Sequence, residues 1–406
     1  MEKNKLESKV NEIIYSLKFN TKENRILRTN KDYFIFNIPN SIILPIDTEL
    51  FSLIKKEYSE RLISFYKKNI KLFPIEKINQ LEELNIIKFN DRRSNNKFQI
   101  ESCVDPPVKT LIIHINKECN LKCIHCYIDS KNKKEDSIPN YLIKGVISDF
   151  VDMGGLILNV SGGEPLLRKD LIDILTYATE KKLHINLQSN GLLIDKNSIN
   201  KIKQNISRLT VGIDGLEESN DFIRGKGNFK RIDKALNLFN DGGVDIGATT
   251  MINYKNLGEL IEMEDFLLSK NVKYWNLVLP RKIGRFKNHD LPDKTYELWF
   301  NHFERYYKVL KEMKKIAEGK MEVLIDHSMI PQSYLKKDKE IPFNRRVYNE
   351  SRVCWDNTLT IFPNGDVKAC LFLDGFVYGN IKEKSLKEIY FSKSRKRTLN
   401  YFKKMK

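Results

Sequence analysis

The sequence predicts an α/β fold with a parallel sheet at its centre, a small α+β unit before it and a short module after it. Between residues 109 and 290, six strand-like runs alternate with amphipathic helical stretches. A short mixed pattern precedes them, and a hairpin signal with a basic stretch follows them. Strands that alternate with helices indicate parallel pairing, either in a barrel or in a doubly wound sheet.

The composition is that of a globular chain. Of 406 residues, 41% are hydrophobic and 30% are charged, and at roughly 150 residues per domain this length suggests two or three domains. No apolar run approaches the ~18 residues of a membrane helix. The polar start at Met1–Lys5 lacks the apolar segment of a signal peptide. We therefore expect a cytoplasmic protein without a membrane partner.

Residues 1–100 are predicted to form a domain of their own. Tyr33–Ile38 and Ile42–Leu44 have strand patterns on either side of a Pro-Asn turn, and helical spacing runs from Leu50 to Leu84. A last apolar run lies at Ile86–Phe89. The polar stretch Arg92–Lys97 is the expected linker to the central domain.

The central domain has regular strand and helix patterns. The predicted strands are Leu111–Ile115, Leu156–Val160, His184–Leu187, Leu209–Ile213, Asp245–Thr250 and Tyr274–Leu279. Two predicted helical faces consist of Leu142, Val146, Ile147, Phe150 and Val151, and of Phe229, Ile232, Leu236 and Phe239.

Polar and glycine-rich motifs follow one predicted strand after another. They are Ser161-Gly162-Gly163-Glu164-Pro165, Gln188-Ser189-Asn190-Gly191, Asp214-Gly215, Asn253, and Arg281 with Gly284-Arg285. Because the carboxyl ends of parallel strands lie at one edge of a sheet, these motifs are expected to converge on one site.

Three cysteines follow the first strand of the central domain, in Cys119-Asn-Leu-Lys-Cys123-Ile-His-Cys126-Tyr127. Thiols clustered in a long cytosolic chain indicate metal or redox chemistry rather than a disulfide framework. Because iron–sulfur clusters are normally held by four cysteines, three thiolates suit a 4Fe–4S cluster with one iron open to a ligand. The alternative is a zinc site that borrows His125 or a remote cysteine.

This C-x3-C-x2-C loop, followed by an aromatic residue, resembles the signature of the radical S-adenosylmethionine (SAM) superfamily. The resemblance implies a partial (β/α)6 barrel over residues 109–325. It implies that Cys119, Cys123 and Cys126 hold three irons of the cluster and that SAM chelates the fourth. One-electron reduction of the cluster then cleaves SAM to methionine and a 5′-deoxyadenosyl radical.

The same resemblance implies which residues contact SAM. They are Tyr127, Gly162, Gly163, Glu164, Pro165, Ser189, Asn190, Asp214 and Arg224. The Gly-Gly-Glu-Pro segment resembles the one that lines the amino group of SAM, and the Ser-Asn pair resembles residues near the ribose. Arg224 resembles an arginine that approaches the carboxylate of SAM. Gly212 stands where the family usually has serine, so one hydroxyl contact is expected to be missing.

Residues 345–406 resemble a degenerate SPASM or twitch module. Cys354, the stretch Gly365–Cys370 and Gly379–Ile381 fit its opening pattern, and Asn364-Gly365 is a hairpin turn signal. No cysteine follows Cys370, and two thiolates cannot complete a 4Fe–4S cluster alone. Either other ligands, such as Cys103, complete an auxiliary cluster with Cys354 and Cys370, or the cluster has been lost and the fold kept.

Residues 1–100 resemble the winged-helix-like recognition element that captures leader peptides of ribosomally made peptides (an RRE-like domain). Such domains bind by adding a strand to a sheet edge, and Tyr33–Ile38 is the expected edge. The expected function is therefore a radical SAM enzyme that acts on a precursor peptide with a leader. Its product would be a thioether, a carbon–carbon crosslink or an epimerised residue, and flavodoxin or ferredoxin would supply electrons.

The charge pattern bears on partners. The net charge is +17, and residues 382–406 alone carry ten basic and two acidic side chains. This tail is either a solvated surface or a docking site for an acidic electron donor. Tyr401 and Phe402 there could stack on bases, but no RNA-binding module is evident, and no nucleic-acid partner is expected.

Two other functions stay open. The same chemistry could act on a cofactor precursor, a protein such as a sulfatase, or tRNA. A degenerate barrel could instead bind a leader peptide without catalysis, although the intact cysteine loop argues against this.

Overall fold

The computed structural model describes six short strands before residue 103, and then residues 108–131, 136–326, 358–372 and 375–404. It divides into two compact units, Met1–Pro107 with Val151–Leu156 and Val108–Phe150 with Ile157–Lys406. The helices predicted between Leu50 and Leu84, the linker at Arg92–Lys97, and Cys103 and Cys354 lie outside the described residues.

The described part of residues 1–107 consists of strands. They are β1 (Leu17–Phe19), β2 (Asn24–Arg28), β3 (Tyr33–Asn37), β4 (Ile42–Ile46), β5 (Ile87–Phe89) and β6 (Ile100–Ser102). Strands β1 and β5 pair antiparallel, and the other four form a sheet in the order β4-β3-β2-β6. The predicted strands β3 and β4 are confirmed, and the apolar run at Ile86–Phe89, for which no strand was predicted, forms β5. The expectation that Tyr33–Ile38 forms a sheet edge was wrong, because β3 pairs with β2 on one side and with β4 on the other.

A ten-stranded sheet organises the second unit, in the order β13-β12-β11-β10-β9-β8-β7-β14-β15-β16. Its strands are β7 (Thr110–His114), β8 (Ile157–Ser161), β9 (His184–Ser189), β10 (Arg208–Gly212), β11 (Ile246–Met251), β12 (Tyr274–Val278), β13 (Glu322–Ile325), β14 (Thr358–Ile361), β15 (Asp366–Lys368) and β16 (Val377–Asn380). Strands β7 to β12 confirm the six predicted strands to within two residues, and neighbours from β7 to β13 pair parallel.

Helices follow the strands. They are α1 (Asn140–Asp152), α2 (Leu171–Glu180), α3 (Ile199–Gln204), α4 (Glu217–Arg224), α5 (Asn228–Asp241), α6 (Leu260–Ser269), α7 (Leu291–Asn301), α8 (Phe303–Ala317), α9 (Leu386–Tyr390) and α10 (Lys393–Lys404). Helix α1 buries Ile143, Val146, Ile147 and Phe150, so three residues of the predicted face are confirmed, while Leu142 and Val151 are half-buried. Among the described residues, no helix combines the length and the apolar character needed to cross a bilayer.

The carboxyl-terminal module continues the sheet of the central domain. Strand β14 pairs parallel with β7, with Thr358 opposite Thr110. The predicted hairpin at Asn364-Gly365 joins β14 to β15 antiparallel, and Gly365 has the positive φ of 96° that its turn requires. Because β14 lies parallel to β7, its carboxyl end and the turn at Asn364-Gly365 lie at the same edge of the sheet as the cysteine loop.

Candidate functional site

A cavity of about 330 Å³ lies at the carboxyl edge of the parallel strands. Ten of the residues singled out by the sequence line it: Cys119, Cys123, Cys126, Tyr127, Gly162, Gly163, Ser189, Asn190, Asp214 and Arg224. Their elements are adjacent in the sheet, where His114 pairs with Ser161 and Ser189 pairs with Val211. Residues from five of the strand-end motifs therefore meet at this cavity, as predicted. Six residues of the predicted set do not line it: Glu164, Pro165, Gly191, Gly215, Asn253 and Gly284.

The cysteine loop presents three free thiols to the cavity. Cys119 and Cys123 are buried, and Cys126 is half-buried. The backbone N–H of Leu121 donates to Cys119 Sγ at 3.4 Å, and the N–H of Ser130 donates to Cys126 Sγ at 3.2 Å. Hydrogen bonds of this kind are among the features by which a protein adjusts an iron–sulfur cluster.

The thiol chemistry favours a multi-iron cluster. Burial raises the pKa of the Cys119 thiol to about 12 and also raises the pKa of Cys123, so a metal must displace protons to bind there. His125, the ligand that a zinc site would borrow, is instead paired with Asp214. The three-thiol loop therefore fits a 4Fe–4S cluster better than zinc.

Glu164 holds two loops together from behind the cavity wall. Its side chain is fully buried, and Oε1 accepts a hydrogen bond from Ser189 Oγ at 2.7 Å while Oε2 accepts one from the N–H of Asn190 at 2.8 Å. The side-chain amide of Asn190 in turn donates to Asn120 Oδ1 at 2.7 Å, within the cysteine loop. Glu164 therefore positions the Ser-Asn pair against that loop.

Gly162 and Gly163 allow a close backbone approach. The N–H of Gly163 donates to the carbonyl of Asn116 at 2.8 Å, and the N–H of Glu164 donates to the carbonyl of Glu118 at 2.7 Å. A Cβ on Gly162 would collide with the Asn116 side chain, and one on Gly163 with the Glu118 carbonyl. Glycine is required because these loops pack backbone to backbone.

A buried ion pair between Asp214 and Arg224 lies at the cavity wall beside the cysteine loop. Asp214 Oδ2 lies 2.7 Å from Arg224 Nε and 3.1 Å from His125 Nε2, and Oδ1 accepts a hydrogen bond from the N–H of Met251 at 2.7 Å. Burial by itself would raise the pKa of Asp214, but the Arg224 cation and His125 outweigh it and lower the pKa to about 2. Asp214 is therefore ionised, and it orients both partners. The link between Asp214 and His125 cannot be predicted from the sequence, because it joins loops that follow two different strands.

The carboxyl-terminal module supplies part of the cavity wall. Leu371 and Phe372 line the cavity, and the Phe372 ring lies 6.3 Å from the Tyr127 ring and 5.6 Å from the guanidinium of Arg281. Cys370 is a half-buried free thiol whose Sγ accepts a hydrogen bond from the N–H of Phe372 at 3.4 Å. This wall cannot be predicted from the sequence, because it depends on the pairing of β14 with β7.

Polar side chains line the cavity below the strand ends. They are Gln188, Thr210, Thr249 and Asn276, from four neighbouring strands. Thr210 lies opposite Gln188 and Thr249 opposite Asn276 in the strand register. Three of them, Thr210, Thr249 and Asn276, precede the strand-end motifs, and only the alternation of side chains along each strand could have identified them.

Known proteins resemble this chain in sequence and in fold. The Radical SAM superfamily model matches residues 113–267, and SPASM, an iron-sulfur cluster-binding domain, matches residues 354–406. The Fe-coproporphyrin III synthase of Methanosarcina barkeri is 28% identical, covering 69% of this chain and 73% of that protein. The subtilosin biosynthesis protein AlbA of Bacillus subtilis is 25% identical, covering 78% of this chain and 67% of that protein.

Solved structures show the same fold. Streptococcus suis SuiB, bound to its precursor peptide SuiA, has a TM-score of 0.66 at 18% identity, covering 93% of this chain and 89% of that chain. The predicted α/β fold is thus confirmed, and the cofactors are a 4Fe–4S cluster and SAM. This chain belongs to the radical SAM superfamily of enzymes and carries a SPASM domain at its carboxyl end.

Proposed function

We propose that this enzyme abstracts hydrogen from a ribosomally made peptide and so installs a thioether, a carbon–carbon crosslink or an epimerised residue. The observation that carries the proposal is the cavity in which the cysteine loop faces a wall made by the SPASM domain. AlbA, a bacteriocin biosynthesis protein, and SuiB, solved with its precursor peptide, support a peptide substrate.

Residues around the cavity are assigned to the cluster and to the carboxylate of SAM. We assign the cluster to Cys119, Cys123 and Cys126, and with SAM bound this cofactor pair supplies a 5′-deoxyadenosyl radical after one-electron reduction. Arg224 is assigned to the carboxylate of SAM, because Asp214 fixes the guanidinium at the cavity wall.

The other SAM contacts come from neighbouring strand ends. Gly162 and Gly163 are assigned to the amino group, and Ser189 and Asn190 to the ribose. Glu164 acts through these last two residues, whose positions it fixes by hydrogen bonds.

The substrate side is assigned to the wall with Phe372, and the neighbouring Tyr127 stays assigned to SAM. Aromatic side chains there exclude water and stray hydrogen donors from a reactive radical. Tyr127 Oη lies 3.5 Å from Nε2 of His114, and burial lowers the pKa of His114 to about 3. The imidazole of His114 is therefore neutral, and its contact with the hydroxyl of Tyr127 positions the Tyr127 ring beside Phe372.

A cofactor precursor is the second candidate substrate. The relative in Methanosarcina barkeri is an Fe-coproporphyrin III synthase, and a second match there is an AdoMet-dependent heme synthase, 26% identical over 67% of this chain. Arg281 lines the cavity beside Phe372, where a cation would suit a carboxylate-bearing precursor as well as a peptide.

One experiment separates the two substrates. Reconstituted enzyme with SAM and dithionite is incubated either with short peptides encoded beside its gene or with iron coproporphyrin. We expect only a peptide to be modified, by loss of hydrogen mass or by deuterium incorporation in heavy water on epimerisation. Turnover of the porphyrin with no change in any peptide would overturn the peptide assignment.

Partners and the auxiliary cluster remain part of the proposal. The exposed cations of α10 are assigned to docking of an acidic flavodoxin or ferredoxin. Cys370 and Cys354 are the candidate auxiliary ligands. Iron analysis decides this point, since about four irons per chain indicate one cluster and about eight indicate two.

A further inference from the structure

We infer that Arg285 is a positioning residue that fixes the cysteine loop and raises the reduction potential of the cluster proposed there. Its Nη1 donates to the carbonyl of Cys123 at 2.8 Å, and its Nε donates to Asp129 Oδ1 at 2.9 Å. Its own backbone N–H donates to the carbonyl of Cys126 at 3.1 Å. One residue outside the loop therefore binds it at three places.

The segment around Arg285 is fitted to the loop. Gly284 has a φ of 55°, and a Cβ there would collide with the carbonyl of Cys126. Asp129, the acidic partner, also has a positive φ, at 48°. Aspartate is one of the residues that tolerate this conformation, and the hydrogen bond from Arg285 holds its carboxylate in place.

The next residue anchors this segment in the interior. Phe286 is 1% exposed and packs with Ile223, Met251 and Leu291, and Ile124 of the cysteine loop packs against the same cluster. Arg285 is therefore held in position by the buried Phe286 next to it, and its place does not depend on the cysteine loop alone.

The charge of Arg285 has a defined effect. Reduction adds one negative charge to an iron–sulfur cluster, so a nearby fixed cation favours the reduced form, and a nearby anion disfavours it. The guanidinium contacts the backbone of Cys123, whereas the side chain of Asp129 is 48% exposed and is screened by water. The cation should dominate at the cluster.

Two variants test both effects. Arg285→Gln removes the cation and its bonds, and Asp129→Asn removes the anion and weakens one bond. Because both loosen the loop, both should lose iron to a chelator about tenfold faster than wild type, the scale expected for supporting contacts of a metal site. The midpoint potential, read by electron paramagnetic resonance titration, should become more negative in Arg285→Gln and more positive in Asp129→Asn.

Arg285→Lys separates charge from geometry, since it keeps the cation but not the fork of donors. It should keep a near-wild-type potential and still lose iron faster. Lys287→Gln is the matched control, because Lys287 is an exposed cation two residues further on, and it should leave both readouts unchanged.

The inference rests on the proposed cluster ligands but not on the substrate. A wild-type protein that bound no iron would overturn the proposed function as well. A wild-type protein with a cluster, and variants whose potentials shift in the same direction or not at all, would overturn this inference alone. If Arg285→Gln fails to fold, the Asp129→Asn and Arg285→Lys pair gives the same decision.

Discussion

The guanidinium of Arg224 occupies the space that a side chain at Gly212 would need. A Cβ on Gly212 would collide with that guanidinium, while Arg224 Nε lies 2.7 Å from Asp214 Oδ2. The glycine at position 212, where the family usually has serine, therefore has a steric role. The glycine makes room for a buried cation at the cavity wall.

This relationship predicts the effect of a side chain at position 212. Gly212→Ser should displace Arg224 from Asp214 and weaken SAM binding about tenfold, the cost of about one charge-assisted hydrogen bond. Equilibrium binding of SAM to reconstituted protein measures this. Gly258→Ala is the control, since nothing lies within 4 Å of a Cβ there. Unchanged SAM affinity in Gly212→Ser would contradict the role of Arg224.

The place of Phe372 in the cavity wall predicts that its removal affects substrate modification but not SAM cleavage. Phe372→Ala should leave the cleavage of SAM near the wild-type rate but lower the product formed per SAM cleaved, because the substrate-side wall loses its aromatic ring. Parallel chromatography of 5′-deoxyadenosine and modified substrate gives this ratio. Phe391→Ala, at an exposed ring of the same module, should keep the wild-type ratio. An equal loss of both products would place Phe372 in SAM binding instead.

Glu264 predicts a pH dependence of stability far from the cysteine loop. Its side chain is buried in α6, and neither oxygen has a hydrogen-bond partner among the described residues. Burial, followed by the charges of Asp265 and Glu312, raises its pKa to about 8. The folded state therefore binds this proton more tightly than the unfolded state does. The resulting stability is full below the ordinary pKa and is lost as the pH rises through about 8.

Glu264→Gln should therefore stabilise the protein more at about pH 9 than at about pH 6. Thermal unfolding of the iron-free protein at the two pH values measures the difference. Glu262→Gln, on the exposed face of the same helix, should show no such pH dependence. A wild-type protein whose unfolding temperature is the same at both values would contradict the raised pKa.

If the exposed cations of α10 dock an electron donor, their removal should slow reduction by a protein but not by a small molecule. Lys393, Lys396 and Arg397 are exposed, whereas Arg395 is 6% exposed and lies 3.7 Å from the Tyr390 ring. Replacing the three exposed cations by Gln should slow reduction by flavodoxin about tenfold or more at low salt, because charge mainly speeds encounter. Reduction by dithionite should not change. Equal flavodoxin rates in stopped-flow absorbance would exclude this docking site.

Local patterns were sufficient to predict the strands and the cysteine loop. Strands β7 to β12 combine apolar runs with regular spacing, so their positions follow from the chain alone. The three cysteines lie within eight residues, and their chemistry is a local property. The convergence of the strand ends followed from parallel pairing, which the alternation of strands and helices already implied.

Long-range contacts could not be predicted in this way. The pairing of β14 with β7 joins segments about 250 residues apart, and no local pattern selects one partner strand among many. The roles of Glu164 and Arg224 likewise depend on neighbours from other strands. The sequence shows Arg395 only as one of the ten basic residues of the tail, whereas its burial follows from its packing on Tyr390.

Cys123→Ala tests the central claim most directly, compared with wild type and with Cys370→Ala after anaerobic reconstitution. Iron content and 5′-deoxyadenosine formed from SAM with dithionite are measured for all three proteins. We predict that wild type and Cys370→Ala cleave SAM, whereas Cys123→Ala loses the cluster bound at Cys119, Cys123 and Cys126 and forms no 5′-deoxyadenosine. A Cys123→Ala protein that kept wild-type iron and wild-type SAM cleavage would contradict the account.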